Sequence, residues 1–224
     1  MIEIAHIEND YTSKFGVPRQ SGLTCAMPSR IIFTGKYRNP DVLRGIEGFS
    51  HLWLLWKFDN PEKQSLTVRP PRLGGNRRMG VWATRSPFRP NNIGLSCVRL
   101  IRVEWHTSQG PILWVEDADL MNGTAILDIK PYLPFTDSHP DATSGWCTQA
   151  ERDIHPLDVH ISHEAMRHYP FTTDQWNTLR QILRQDPRPH YKDDNPDTTY
   201  SFEFAHQTIT FAVADNKVRL IVTK

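Results

Sequence analysis

The residues best placed to do chemistry in this chain are its arginines, because of where they fall. Residues 69–102 hold eight of them (Arg69, Arg72, Arg77, Arg78, Arg85, Arg89, Arg99 and Arg102) with no lysine and no acid. A guanidinium is a planar five-donor fork that matches phosphate and carboxylate oxygens, and its flat face stacks on bases. Arg69-Pro70-Pro71-Arg72 and Arg85-Ser86-Pro87-Phe88-Arg89-Pro90 set several of these forks on stiff proline loops, and Trp82 and Phe88 add aromatic surface. Arginine interleaved with aromatics is the composition of a single-stranded RNA site. Charge alone leaves a second reading open. Residues 106–158 carry nine acids against Lys130 and Arg152, so belt and acidic stretch could form one structural ion-pair network. The whole-chain net charge of +1 hides both possibilities.

A second cluster is Asp186-Pro187-Arg188-Pro189-His190-Tyr191, where two prolines hold a carboxylate, a guanidinium and a phenol in one short loop. Such a loop could place an acid or base for proton transfer, although by itself it reads first as a helix stop followed by an extended linker. Other motifs are missing. Gly74-Gly75-Asn76-Arg77-Arg78-Met79-Gly80 matches neither a Walker loop nor G-x-G-x-x-G, and there is no G-x-S-x-G elbow. His160 and His163 lack a third ligand and a clear helix, so they read as solvated and no metal is expected. Cys25, Cys97 and Cys147 are odd in number and far apart, which reads as free thiols in a reducing cytoplasm. No apolar run reaches membrane length, and no secretory signal is expected.

The elements that must position these residues are mostly strands. Ile2–Ile7, Arg30–Phe33, His51–Phe58, Gly94–Trp105, Ile112–Leu120 and Ala125–Ile129 carry strand patterns, with one short helix over Val42–Ile46 capped by Asp41. Val68–Gly80 and Pro87–Asn92 are loops, and Asn122-Gly123 is a turn. Strands without regular helical crossovers indicate a barrel or sandwich and disfavour a doubly wound sheet. Later come a strand at Leu157–Ile161, a helix over Thr173–Gln185 capped by Thr173, and an antiparallel meander turning at Asp215-Asn216. The expected class is mainly β with an α+β tail: a β-barrel-like, non-Rossmann domain over 1–140, a linker over 141–155, and a small α+β domain over 156–224.

Three blocks carry a family resemblance: Gly48-Phe49-Ser50-His51-Leu52-Trp53, the run from Arg69 through Gly94, and Asp128 through Phe135. They closely resemble the TrmO family, also called TsaA-like or YaeB-like. Val17-Pro18-Arg19-Gln20 and Gln185-Asp186-Pro187-Arg188-Pro189 resemble its bacterial two-domain branch. The resemblance implies an S-adenosylmethionine-dependent methyltransferase with a barrel-like fold, acting as a homodimer. Its substrate would be N6 of threonylcarbamoyladenosine at position 37, beside the tRNA anticodon. By the same resemblance the cofactor would meet Pro18, Arg19 and Gln20, then Ser50 and His51, then Arg85 and Leu95, and lastly Asp119, Leu120, Met121 and Asn122. Asn122 departs from the family's usual Asp, keeping the turn and an acceptor while losing a charge. Asp186 is then the candidate base, Tyr191 the second, and Arg188 the group that orients Asp186 or binds the substrate's threonyl carboxylate. Arg69, Arg72, Arg77, Arg78 and Arg89 are candidates for tRNA phosphates or for the dimer interface. Two other functions compete, a non-catalytic RNA-binding barrel and a small-molecule methyltransferase on the same scaffold.

Overall fold

The structure is a computed structural model that describes residues 1–18, 20–23, 27–58, 64–70, 77–148, 156–188 and 197–222. Six strands close into a barrel: β1 (Ala5–Glu8), β2 (Ser29–Phe33), β3 (His51–Lys57), β6 (Ile93–Glu104), β7 (Ile112–Glu116) and β8 (Ala125–Pro131). Their order is β1-β2-β7-β6-β3-β8, every pairing is antiparallel, and β8 returns to β1. Closure removes the free sheet edges that an open antiparallel sheet would expose. Period-two alternation decides which side chains fill it. Leu52, Leu54 and Trp56 of β3 point inward with Val98 of β6, Leu113 and Val115 of β7, Ile31 of β2 and Ile7 of β1. Between β3 and β6 a two-stranded ribbon, β4 (Thr67–Val68) and β5 (Met79–Gly80), stands off the barrel.

The second core is built from β9 (Asp158–His160), α2 (His163–His168), α3 (Thr173–Arg184), β10 (Thr199–Phe204), β11 (Gln207–Ala214) and β12 (Lys217–Leu220); the single-turn α1 (Pro134–Asp137) belongs to the barrel side. The sheet runs β10-β11-β12-β9. The meander is antiparallel, but β9 joins β12 in parallel, a pairing that local sequence could not reveal. Leu179, Ile182 and Leu183 of α3 lie buried against Phe204, Ile209 and Phe211.

Some elements differ from expectation at their ends. The N-cap of α3 is Thr172, not Thr173: its hydroxyl accepts from Gln175 N–H while the Gln175 side chain accepts from Thr172 N–H, a complete capping box. The expected helix near Val42 is a 3-10 turn over Pro40–Leu43 capped by Asn39 rather than Asp41. His163 begins a short helix capped by Ser162, where no helix was expected. Val81–Ala83 is a 3-10 turn.

The chain between β1 and β2 leaves the barrel and enters the second core. Tyr11 and Met27 are buried there and Val17 packs against it. Ser13 Oγ exchanges hydrogen bonds with the Glu203 backbone, and Gln175 Nε2 donates to Asp10 Oδ2 at 2.7 Å. Gly16 passes so close to Phe202 that a Cβ would lie 3.0 Å from its ring. No helix among the described residues is long and apolar enough to cross a membrane.

Candidate functional site

The loop Gln20–Leu23 is the point where the sequence-expected site assembles. Arg85 Nη1 donates to Gln20 Oε1. The Ser21 N–H donates to the Asp119 carboxylate, and Arg85 acts on the same carboxylate through its charge. Gly22 N–H donates to the Asp117 carbonyl at 3.4 Å, from a backbone with φ +77° that suits glycine. The Leu23 carbonyl accepts from Gln185 Nε2 at 2.9 Å, at the C-terminal end of α3. Four consecutive residues therefore tie together the arginine loop, the 117–122 loop and the second domain, one residue before Asp186.

Asp119 is anchored from below. Trp56 Nε1–H donates to Ser96 Oγ at 2.9 Å inside the barrel, and Ser96 Oγ in turn donates to Asp119 Oδ1. Gly94 makes room for this indole, since any Cβ there would overlap the Trp56 ring. Burial pushes the Asp119 carboxyl above the ordinary range, and the bonds from Ser96 and Ser21 and the Arg85 charge pull it part of the way back.

The outer face of β3 and β6 leads away from this point. Leu95, Cys97 and Arg99 face outward along β6, paired with Leu55, Trp53 and His51 of β3. Leu95 is 50% exposed. Ser50 Oγ and His51 Nδ1 lie 2.9 Å apart at the far end. Two-residue steps place His51 about 13 Å along the strand from the level of Leu95. Asp117 lies between the two ends. Its backbone is left-handed at φ +67°, and its Oδ1 is buried with no hydrogen-bond partner among the described residues. Burial and the neighbouring Glu116 raise its carboxyl, while Arg99 and His51 act the other way. Burial also pushes up the Cys97 thiol, helped by Asp137 and Asp117, which makes it a poor nucleophile.

The sequence-assigned positions among the described residues fall in several places. Gln20 and Arg85 are hydrogen-bonded and Arg85 acts on Asp119 through its charge; Ser50 and His51 form a separate pair at the other end of the strip. Pro18 is buried. Leu120 is 1% exposed with its side chain in the barrel core, so it can present only main chain. Met121 is half-buried. Asn122 Oδ1 accepts from Asn9 N–H at 3.0 Å. It lines a different cleft of about 390 Å³ with Glu8, Asp10, Arg30, Trp114 and His206, which none of the other assigned cofactor positions lines. A carboxylate would accept the same bond, so the Asn for Asp departure keeps the turn's contact. Asp186 has φ +50° and holds Arg188 in a two-pronged pair, with Nε and Nη2 each 2.8 Å from a carboxylate oxygen. Arg188 thus contacts both oxygens of the Asp186 carboxylate. Arg19, Arg72 and Tyr191 lie outside the described residues.

The arginine belt divides by environment. Arg99 pairs with Glu116 of the acidic stretch, and Arg102 lies 4.1 Å over the Trp114 ring, so these two serve the barrel wall. Arg89 donates through Nη1 to the carbonyls of Val81 at 3.1 Å and Thr84 at 2.7 Å, which ties this half-buried side chain to its own loop. Arg69, Arg77 and Arg78 are exposed on the β4–β5 ribbon, where Arg78 also donates to Thr67 Oγ1 at 3.0 Å. Gln185, Ser96 and Trp56 do not stand out as site residues in the sequence. A hydroxyl facing inward in an apolar strand was the one signal available, and it pointed to Ser96.

The set fits a sulfonium nucleoside carrying an amino-acid tail. Arg85 offers a cation to a carboxylate, Leu95 an apolar surface to a base, and Asp119 and Asp117 negative charge to a cation. Among the described residues no group of three or more metal-type ligands forms.

Comparison with known proteins gives a consistent picture. The family model of the tRNA-methyltransferase O N-terminal domain matches residues 6–138, and that of the TrmO C-terminal domain matches 154–223. The tRNA (adenine(37)-N6)-methyltransferase of Escherichia coli K12 is 40% identical over 221 residues, which is 95% of this chain and 92% of the relative. A Pseudomonas aeruginosa protein named as a candidate S-adenosylmethionine-dependent methyltransferase is 37% identical over 88% of this chain and 85% of its own. The crystal structure of TrmO from Pseudomonas aeruginosa superposes with a TM-score of 0.74 at 28% identity, covering 98% of this chain and 95% of that one.

Proposed function

The chain belongs to the tRNA-methyltransferase O family, and from that premise we propose that it methylates N6 of threonylcarbamoyladenosine at position 37 of tRNA, using S-adenosylmethionine. The observation that carries this reading is the Gln20–Leu23 loop, which joins Arg85 and Asp119 to the residue preceding Asp186.

In this reading Arg85, held by Gln20, binds the carboxylate of the cofactor's amino-acid tail. Asp119, fixed by Ser96 and Ser21, and the main chain of Leu120 and Met121 line the cofactor. Leu95 supplies apolar contact, and Pro18, Arg19, Ser50 and His51 border the strip. When bound, the cofactor supplies an electrophilic methyl group on a sulfonium. The substrate nitrogen is carbamoylated, so its lone pair is delocalised until its proton leaves. Alignment of nitrogen with methyl is the larger contribution. Asp186 takes the N6 proton, and Arg188 binds the threonyl carboxylate. Arg188 now occupies both Asp186 oxygens, so a substrate carboxylate that draws its fork away frees the base at the moment it is needed. Tyr191 stands second to Asp186, and Arg69, Arg72, Arg77 and Arg78 hold tRNA phosphates.

The same proposal includes a catalytic domain over 1–140 joined by 141–155 to a second domain over 156–224, a homodimeric assembly, and action in the cytoplasm. Cys97 and Cys147 are free thiols, as a reducing compartment would keep them. The test is mass spectrometry of tRNA nucleosides after incubation with protein and cofactor. N6-methylated threonylcarbamoyladenosine should appear, and only from tRNA that already carries the precursor. Its absence from precursor-bearing tRNA refutes the reading.

A further inference from the structure

We propose that Trp82 is a stacking platform for an unpaired RNA base next to the adenosine that is methylated, an inference that rests on the tRNA reading above. Trp82 is 79% exposed. An indole normally buries most of its surface, so leaving one in water forfeits stability and implies that something else covers it.

The backbone that presents it is held firmly. Trp82 lies in the 3-10 turn Val81–Ala83. The Val81 carbonyl accepts from Thr84 Oγ1 at 2.8 Å and from Arg89 Nη1, and the Thr84 carbonyl accepts from the same Arg89 nitrogen. The Ala83 carbonyl accepts from Trp146 Nε1 at 2.8 Å, and Val81 N–H donates to the Leu66 carbonyl at 3.0 Å. The indole therefore stands on a support tied to three other segments, and little ordering remains to be lost when a flat partner arrives.

Its surroundings select that partner. Arg69, Arg77 and Arg78 are exposed on the adjoining ribbon, and there is no acid between residues 63 and 103. Trp82 is three residues from Arg85, at most about 11 Å along the chain, so a base stacked on it lies beside the proposed methyl donor. An exposed aromatic flanked by exposed guanidinium groups matches a single strand, whose phosphates meet the arginines while a base covers the ring. Self-association of this face across a two-fold axis would set arginine against arginine, which disfavours a second copy as the occupant. Leu66, 88% exposed on the same arm, extends the apolar area that a base and its ribose would cover.

The test compares full-length wild type, Trp82→Ala and Trp82→Phe with precursor-bearing tRNA. Trp82→Ala should weaken tRNA binding by roughly five- to 150-fold, the range for loss of one base–aromatic stack. The dependence of binding on salt should keep its slope, because no phosphate contact is removed. S-adenosylmethionine affinity by calorimetry and oligomeric state by sedimentation should be unchanged, and Trp82→Phe should stay close to wild type. Wild-type tRNA affinity in Trp82→Ala overturns the proposal, as does a shallower salt slope. A changed oligomeric state also overturns it and assigns the face to a second copy. If wild type methylates tRNA and Trp82→Ala binds it equally well, the stacking role fails while the enzyme reading stands. If wild type does not bind the tRNA at all, both fail.

Discussion

Replacing Ser96 by alanine tests the internal support of the site. Its hydroxyl accepts from Trp56 Nε1–H and donates to Asp119 Oδ1. Alanine leaves the indole N–H unpaired in the barrel, at a cost of about 1–3 kcal/mol, and removes a bond to a carboxylate worth about 1.5–3 kcal/mol. Because both bonds share one hydroxyl, they do not simply add, and about 2–4 kcal/mol is expected at neutral pH. The penalty should depend on pH. The Asp119 carboxyl lies above its ordinary value in the folded state, with burial the largest cause and the Ser96 bond opposing it. A folded state that binds the proton more tightly than the unfolded chain is most favoured when the group is protonated. Its advantage is then lost as pH rises from the ordinary carboxylate range through the raised folded value. Without Ser96 the folded value moves further up, so the loss becomes larger and extends to higher pH. Urea unfolding followed by tryptophan fluorescence, from about pH 4 to neutral, reads this directly. A Ser96→Ala protein within about 0.5 kcal/mol of wild type at neutral pH would refute the reasoning, since that is less than one orphaned donor costs. An equal penalty at both ends of the range would refute the Asp119 part.

Asp186→Asn should abolish most turnover on precursor-bearing tRNA while calorimetry shows S-adenosylmethionine binding unchanged; retained turnover would remove Asp186 as the base. Gln185→Ala breaks the bond to the Leu23 carbonyl, a net loss of about 0.5–1.5 kcal/mol, and should weaken S-adenosylmethionine binding by roughly two- to twelve-fold in calorimetry. Gly94→Ala drives a methyl into the Trp56 indole and should cost about 1–3 kcal/mol of overpacking; a thermal melt should show the midpoint falling by several degrees.

The parts of the fold legible in the sequence were those set by local periodicity. His51 to Lys57 was legible as a strand from its apolar density and aromatics, although the unbroken apolar run Leu52–Trp56 did not show which side chains face inward, and the Asp215-Asn216 turn marks the last hairpin. Local chemistry also gave the α3 helix to within a residue, although the choice between Thr172 and Thr173 as cap depended on which hydroxyl reaches the Gln175 amide. Contacts between distant segments were not legible. Nothing near Gln185 announces that its side chain will meet residue 23, and the parallel pairing of β9 with β12 joins strands 57 or more residues apart. The arginine belt was visible as charge, but its division was not. Arg85 and Arg89 sit in one short loop, yet one reaches Gln20 and the other turns onto carbonyls. Asn122 stood out as a departure from the family's pattern, and the structure places it at a turn contact with Asn9.

The segment that leaves the barrel between β1 and β2 has a consequence for how the molecule opens. Tyr11 and Met27 belong to the second core, so chain that is N-terminal in sequence shares the cooperative unit of residues 156–222. Amide hydrogens across residues 10–18 and 20–23 should therefore exchange at rates set by opening of that C-terminal unit rather than of the barrel that flanks them. Any event that loosens the C-terminal sheet would release Gln20–Leu23 from Arg85 and Asp119 while the six barrel strands stay closed. The methyl-donor side and the proton-acceptor side of the proposed reaction would then be lost and regained together, as one subglobal transition.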